Sequence, residues 1–85
     1  MEKYKKIIEN VFMEKMNIIP NHVYFTVQQT DDNRYAVTAD IYINNKKYYL
    51  TADEYTPYYG IADTNIGAIE EFTKVADTLK IMQDK

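Results

Sequence analysis

The 85-residue sequence contains no cysteine, tryptophan or serine, and it has only one histidine, two glycines and two prolines. Without cysteine the chain forms no disulfide and offers no thiolate to a metal, so packing alone holds it together, which is typical of a reducing compartment such as the cytoplasm. A single histidine leaves too few ligands for a transition-metal site. We therefore expect neither a metal nor another cofactor.

Long apolar runs are also absent. No segment approaches the roughly 18 apolar residues of a membrane span, so no membrane contact is expected. The stretch MEKYKKIIENVFMEKM begins with lysines as a signal peptide does, but Glu9, Glu14 and Lys15 interrupt the apolar region that such a peptide needs. A chain of 85 residues has room for one domain with one core. The sequence thus predicts a single cytoplasmic domain over residues 1–85.

Tyrosine and charged residues are abundant, and the charge is unevenly distributed. Nine residues are tyrosines, and the formal net charge is −3. Residues 1–52 hold seven basic and six acidic side chains, whereas residues 53–85 hold three basic and seven acidic ones. The C-terminal third is therefore the acidic part of the chain, and it would suit a partner protein with a basic surface.

Hydrophobic periodicity predicts two helices. Apolar residues recur at three- and four-residue steps from Tyr4 to Met16, and Pro20 ends this first helix. A second apolar stripe runs from Ile66 to Met82 through nearly five turns, with Asp63 or Thr64 as its N-cap.

Three strands are predicted between the helices, because HVYFTVQ, RYAVTADIYI and KKYYLTAD alternate apolar and polar residues. A turn at Asn44-Asn45 would pair Ile41 with Tyr48 and Val37 with Ala52. A loop at Thr30-Asp31-Asp32 would pair Phe25 with Val37. The sequence therefore predicts an α+β fold in the order α-β-β-β-α, with two helices packed on one face of a three-stranded antiparallel meander.

The other face of this sheet is open, and it is the first candidate surface. The predicted registers place His22, Asp40 and Tyr49 in one row, with Tyr24 and Tyr42 in neighbouring rows. An imidazole beside a carboxylate can act in acid–base catalysis, but a flat sheet offers no pocket, oxyanion hole or nucleophile, so we expect no enzyme. The alternatives are an ordinary solvated face, a surface for partner recognition, or a patch that forms a homodimer.

The stretch TADEYTPYYG, residues 51–60, is the second candidate surface. The connection from the third strand to the second helix exceeds the roughly 2–6 residues that such links usually need. Its tyrosines either fold back over the core edge or form an interface, where tyrosine buries a large rigid ring. The candidate partner-binding residues in and after this loop are Asp53, Glu54, Tyr55, Tyr58, Tyr59, Asp63, Glu70 and Glu71.

The order of elements resembles the double-stranded RNA-binding domain over the whole chain. That family carries a lysine cluster at the start of its second helix, where this sequence has TNIGAIEEF with Glu70 and Glu71. It also has a glycine-rich loop before that helix, where only Gly60 and Gly67 occur. An acidic helix repels phosphate, so RNA binding is not the function we expect first.

The sequence supports two hypotheses about function. The leading hypothesis is a small acidic protein, not an enzyme, that binds another protein. A specific version is a phage or mobile-element inhibitor that occupies a basic nucleic-acid site on a host defence protein, as anti-CRISPR proteins do. The alternative is a nucleic-acid-binding module that stacks unpaired bases on Tyr24, Tyr42 and Tyr49. The basic residues near the phosphates would then be Lys46, Lys47 and Arg34.

Overall fold

The computed structural model describes all residues from 1 to 85. Two helices and five strands follow one another as α1 (Glu2–Met16), β1 (His22–Gln29), β2 (Tyr35–Ile43), β3 (Lys46–Thr51), β4 (Gly60–Ala62), α2 (Asn65–Val75) and β5 (Lys80–Asp84). The strands form one antiparallel sheet in the order β1-β2-β3-β5, and β4 pairs with β2. The α+β class and the order helix, meander, helix are confirmed. Strands β4 and β5 were not predicted, so the sheet has five strands rather than three.

Both helices pack on one face of the sheet. The main core joins Ile8 and Phe12 of α1 to Phe72 of α2, and all three lie against Ile41 and Leu50 from the sheet. The two helices run in the same direction, since Tyr4 contacts Glu70 while Lys15 donates to the Leu79 carbonyl. Neither helix is long and apolar enough to cross a membrane. The opposite face of β1, β2 and β3 carries no helix.

The pairing of β1 with β2 differs by two residues from the predicted register. Phe25 pairs with Ala39 rather than Val37. The loop begins one residue later than predicted, because Thr30 bonds to Arg34 through its backbone N–H (2.8 Å) and accepts the Arg34 N–H on its hydroxyl (3.0 Å). Asn33 then takes the left-handed position with φ 64°, which asparagine tolerates. A shift of two leaves the inward face unchanged but changes every cross-strand neighbour.

The Asn44-Asn45 hairpin forms as predicted, with φ of 51° and 67° and with Ile41 paired to Tyr48. The ladder between β2 and β3 extends no further along β2, so the predicted pair of Val37 with Ala52 does not form. Val37 pairs instead with Gly60 of β4. The chain thus returns from β3 to complete the sheet beside β2.

Helix α2 is shorter than predicted, and the chain after it is a strand. The helix ends at Val75, a 3-10 turn covers Ala76–Thr78, and β5 then pairs with β3. The Thr78 hydroxyl donates to the Val75 carbonyl at 2.7 Å, and Leu79 is extended at φ −87°. Leu79 and Met82 continue the helical stripe, but Leu79 and Ile81 also fit the period of two of a strand. As a strand, β5 satisfies backbone groups of β3 that a helix would leave unpaired.

Candidate functional site

The stretch from Thr51 to Thr56 is a tightly bonded turn. The buried Thr51 hydroxyl donates to the Thr56 carbonyl (2.6 Å) and accepts the N–H of Asp53 (3.2 Å) and Glu54 (3.0 Å). The Asp53 carboxylate accepts the N–H of Tyr55 (2.8 Å) and Thr56 (3.0 Å). These bonds lower the pKa of Asp53 far below its usual range, mainly through the N–H of Thr56 and then of Tyr55. Asp53 therefore organises the loop.

Replacing Asp53 by alanine is expected to destabilise the protein in a pH-dependent way. Because the pKa of the folded state is depressed, ionised Asp53 contributes its full stability above the pKa of an unfolded aspartate, about 3.9, and less as the pH falls below it. Urea unfolding should show a constant difference between wild type and Asp53→Ala from about pH 7 to about pH 5, and a shrinking one at lower pH. Asp63→Ala, which removes an exposed carboxylate outside the turn, is the matched control. An equal effect of both variants would contradict this role.

The three tyrosines of this loop have different environments, and Tyr58 folds back over the core edge as one of the two predicted alternatives has it. The Tyr58 ring lies against Phe72 at 6.1 Å between centroids and belongs to the core edge. Tyr59 is half-buried. Tyr55 is 84% exposed and projects from the turn.

The acidic candidates are also dispersed. Glu54 forms an ion pair with Lys80, and Glu70 accepts a hydrogen bond from the Tyr4 hydroxyl at 2.9 Å. That hydrogen bond is the main cause of a raised pKa of Tyr4. Asp63 and Glu71 are exposed and take part in no ion pair. Together with Asp53, which accepts hydrogen bonds within its own turn, three of the five candidate acidic groups are therefore occupied within the fold.

The open sheet face differs most from its predicted arrangement. Because of the register shift, His22 pairs with Tyr42 and Tyr24 pairs with Asp40. Asp40 accepts a hydrogen bond from the Thr26 hydroxyl at 2.6 Å and lies 3.7 Å from the Lys47 amine. Since His22 does not lie opposite Asp40, the predicted row of His22, Asp40 and Tyr49 does not form. Tyr49 pairs with Met82 of β5 on the other edge of β3.

Three rings of the open face contact one another, and we call His22, Tyr24 and Tyr42 the aromatic cluster. The His22 ring is stacked on Tyr24, with centroids 5.7 Å apart and an interplanar angle of 18°. Tyr24 meets Tyr42 edge to face at 5.9 Å. Tyr24 is 50% exposed, so a large aromatic surface faces solvent at the centre of the cluster.

Three asparagines complete a cleft beside the aromatic cluster. Asn21, Asn44 and Asn45 line, with the three rings, an open cleft of about 580 Å³. The Asn44 N–H donates to the Asn21 side-chain oxygen at 2.8 Å, and this bond joins the start of β1 to the β2–β3 turn. Sequence reasoning assigned Asn44 and Asn45 only to the turn, because the approach of Asn21 depends on the tertiary structure.

The charges near the cleft are balanced. The Lys47 amine lies 3.7 Å from carboxylate oxygens of both Asp40 and Asp84. Asp40 is the main cause of a raised pKa of Lys47, so this lysine is held as a cation between two anions. Arg34 pairs with Asp32 in the β1–β2 loop, at the other end of the sheet. Of the basic residues predicted to meet phosphates, Lys47 and Arg34 are therefore paired with carboxylates, and only Lys46 forms no ion pair.

No group of three or more histidine, aspartate or glutamate side chains is placed to hold a metal ion. Comparisons of the chain with models of known protein families, with curated proteins and with solved structures found no match. Function is therefore inferred from the residues of the fold itself, and the cleft lined by the aromatic cluster and the three asparagines is the best candidate site.

Proposed function

We propose that this chain is not an enzyme but a small protein that binds another protein through the cleft on the open sheet face. The observation that carries the proposal is the contact between three aromatic rings, with Tyr24 half exposed at their centre. The cleft that they share with three asparagines gives such a partner a concave surface.

The chemistry of these side chains suits protein recognition. Tyrosine presents a large rigid ring at low entropic cost, and asparagine adds adaptable hydrogen bonds, a combination that is enriched in antibody paratopes. The site lies on β1 and the Asn44-Asn45 hairpin, which are regular structure. Little conformational entropy is therefore lost when a partner binds. These features favour a specific contact over a merely solvated face.

The non-enzymatic part of the proposal is supported by the surroundings of Asp40. Its carboxylate is bonded to Thr26 and paired with Lys47, so it is not available to orient the His22 imidazole. A histidine acting as a general base needs such an orienting partner and a positioned substrate group.

In a narrower version of this proposal, the partner is a protein with a basic surface. The chain would then be a phage or mobile-element inhibitor that blocks the nucleic-acid site of a host defence protein. It is supported by the net charge of −3 and by the exposed, unpaired Asp63 and Glu71. This version predicts that binding weakens as salt concentration rises.

Truncating Tyr24 is expected to weaken partner binding by about 10- to 100-fold, the usual cost of removing a central aromatic anchor. The immobilised protein would be used to capture partners from cell lysate, and the affinity of each purified partner would then be measured for wild type and Tyr24→Ala. Tyr55→Ala is the matched control, because Tyr55 is the more exposed ring but lies outside the cleft. Circular dichroism would establish that both variants are folded.

Three outcomes would count against this proposal. The first is that no partner is captured, and the second is that Tyr24→Ala binds as tightly as wild type. The third is that Asp63→Lys with Glu71→Lys abolishes capture while Tyr24→Ala does not, which would move the site to the acidic residues.

The second candidate function is single-stranded nucleic-acid binding, favoured by the exposed face of Tyr24, since aromatic rings stack on unpaired bases. The pairing of Lys47 with two carboxylates opposes it. A fluorescence titration with short single strands at low salt separates the two functions. An affinity weaker than about millimolar, or about −4 kcal/mol, would exclude nucleic acid as the ligand.

A further inference from the structure

Strand β1 forms an outer edge of the sheet and carries none of the devices that usually protect such an edge. It pairs with β2 through eight successive residues without a bulge, and no strand pairs with its other side. Its sequence HVYFTVQQ contains no charged residue and no proline. Long, regular and uncharged edges of this kind pair readily with another strand.

The outward backbone groups can be assigned from the ladder with β2. The Thr30 N–H donates to the Arg34 carbonyl, and in an antiparallel ladder such bonded pairs recur at every second residue. The even-numbered residues of β1 therefore bond to β2. The N–H and C=O groups of Val23, Phe25, Val27 and Gln29 point away from the sheet.

We propose that a second copy of this chain occupies the edge, with the two β1 strands antiparallel about a two-fold axis at Phe25. This register pairs Val23 with Val27 of the second copy and Tyr24 with its Thr26. Apolar residues then meet apolar residues on the helix side, and uncharged polar or aromatic residues meet on the open side. A register centred on Thr26 would instead place Val23 opposite Gln29, an apolar residue against an amide.

The pattern of exposure supports this occupant. Val27 is 40% exposed although it lies on the helix side of the sheet. In the register centred on Phe25, this exposed Val27 lies directly opposite Val23 of the second copy. Self-pairing therefore covers apolar surface that the single chain leaves in water.

The other edge of the sheet does not offer the same surface. Strand β5 has only five residues, and it carries the charged Lys80 and Asp84, which pair with Glu54 and Lys47. Charged residues and short length are features that discourage edge pairing. The homodimer that the sequence left as one alternative used the open face, whereas an edge dimer leaves both open faces exposed on the same side. The inference is therefore independent of the proposed function of the cleft.

Measuring the mass in solution of the wild type and of variants that block the β1 edge tests the dimer directly. Light scattering over increasing concentration should give twice the 10.1 kDa mass of the chain for wild type. Val27→Pro should give a monomer, because proline removes an outward N–H while sparing the bonds to β2. Val27→Thr retains that N–H and a strand-forming side chain, so it should remain dimeric. A wild-type monomer at every concentration overturns the proposal, and so does a folded dimer of Val27→Pro.

Disulfide trapping tests the register without relying on Val27→Pro to fold. The chain has no cysteine, so an introduced pair reports only the designed contact. Tyr24→Cys with Thr26→Cys places thiols on directly opposite residues, where the α-carbons of non-bonded pairs are about 4.5 Å apart and suit a disulfide. Mild oxidation should convert this variant to a covalent dimer. Tyr24→Cys with Gln28→Cys should stay monomeric under denaturing conditions, and its preferential cross-linking would overturn the proposed register.

Discussion

Gly60→Ala should lower the free energy of unfolding by about 3 kcal/mol, and more if the surrounding structure cannot adjust. A Cβ at this position would lie 2.4 Å from the Ala68 carbonyl oxygen and 2.5 Å from the Phe72 nitrogen. Both are backbone atoms of α2, so the helix itself must move away from β4. Gly60 has no positive φ, and its role is therefore to permit close approach rather than an unusual backbone conformation.

Gly67→Ala provides the control for Gly60→Ala. Its Cβ would meet the Thr64 hydroxyl at 2.8 Å, which is a side-chain atom that can rotate, although it caps the helix. The gain in helix propensity, up to about 1 kcal/mol, offsets a disturbed cap of similar size, so the net change should be small. Urea unfolding of both variants measures the difference. Equal stability of the two variants would show that the contact between β4 and α2 is loose.

Phe72→Ala should destabilise the protein by about 3–5 kcal/mol, a large share of the roughly 5–15 kcal/mol that stabilises a typical domain. Phe72 is completely buried. Its ring packs against the rings of Phe25 and Tyr58, with centroids 6.4 Å and 6.1 Å away. Removing the ring leaves a cavity where α2, β1 and the loop that carries Tyr58 meet. Thermal unfolding should show a much lower midpoint or no cooperative transition.

Tyr55→Ala is the corresponding control, because it also removes an aromatic ring but from a side chain that is 84% exposed. The free energy of unfolding of Tyr55→Ala should differ from that of wild type by no more than about 0.5 kcal/mol. If Phe72→Ala were no more destabilised than Tyr55→Ala, α2 would not be anchored in the core as described.

Much of the fold could be predicted from local patterns in the sequence. The stripe from Tyr4 to Met16 specified α1, and alternation specified the inward faces of β1, β2 and β3, since burial of apolar side chains follows the period of each element. Asn44 and Asn45 specified their turn because both tolerate positive φ. These features depend on residues that are close together in the chain.

The candidate site could be predicted only in part. Tyr24 and Tyr42 were assigned correctly to the open face, because a shift of two residues preserves the side of the sheet. The neighbours predicted for His22 were wrong, because the register depended on whether the β1–β2 loop began at Thr30 or at Asp31. The turn-forming residues nearby suit either starting point. The contribution of Asn21 to the cleft had no signal in the sequence.

The sequence by itself determined the fold class, the two apolar helix faces and the open aromatic face, because these follow from periodicity within single elements. Only the tertiary structure decided that residues 80–84 extend the sheet, that Gly60 lies beneath α2, and that Asp40 bonds to Thr26 and Lys47 rather than to His22. Each of these depends on which distant backbone is present to satisfy a hydrogen bond or occupy a space. Such long-range competition leaves no local pattern in a single sequence.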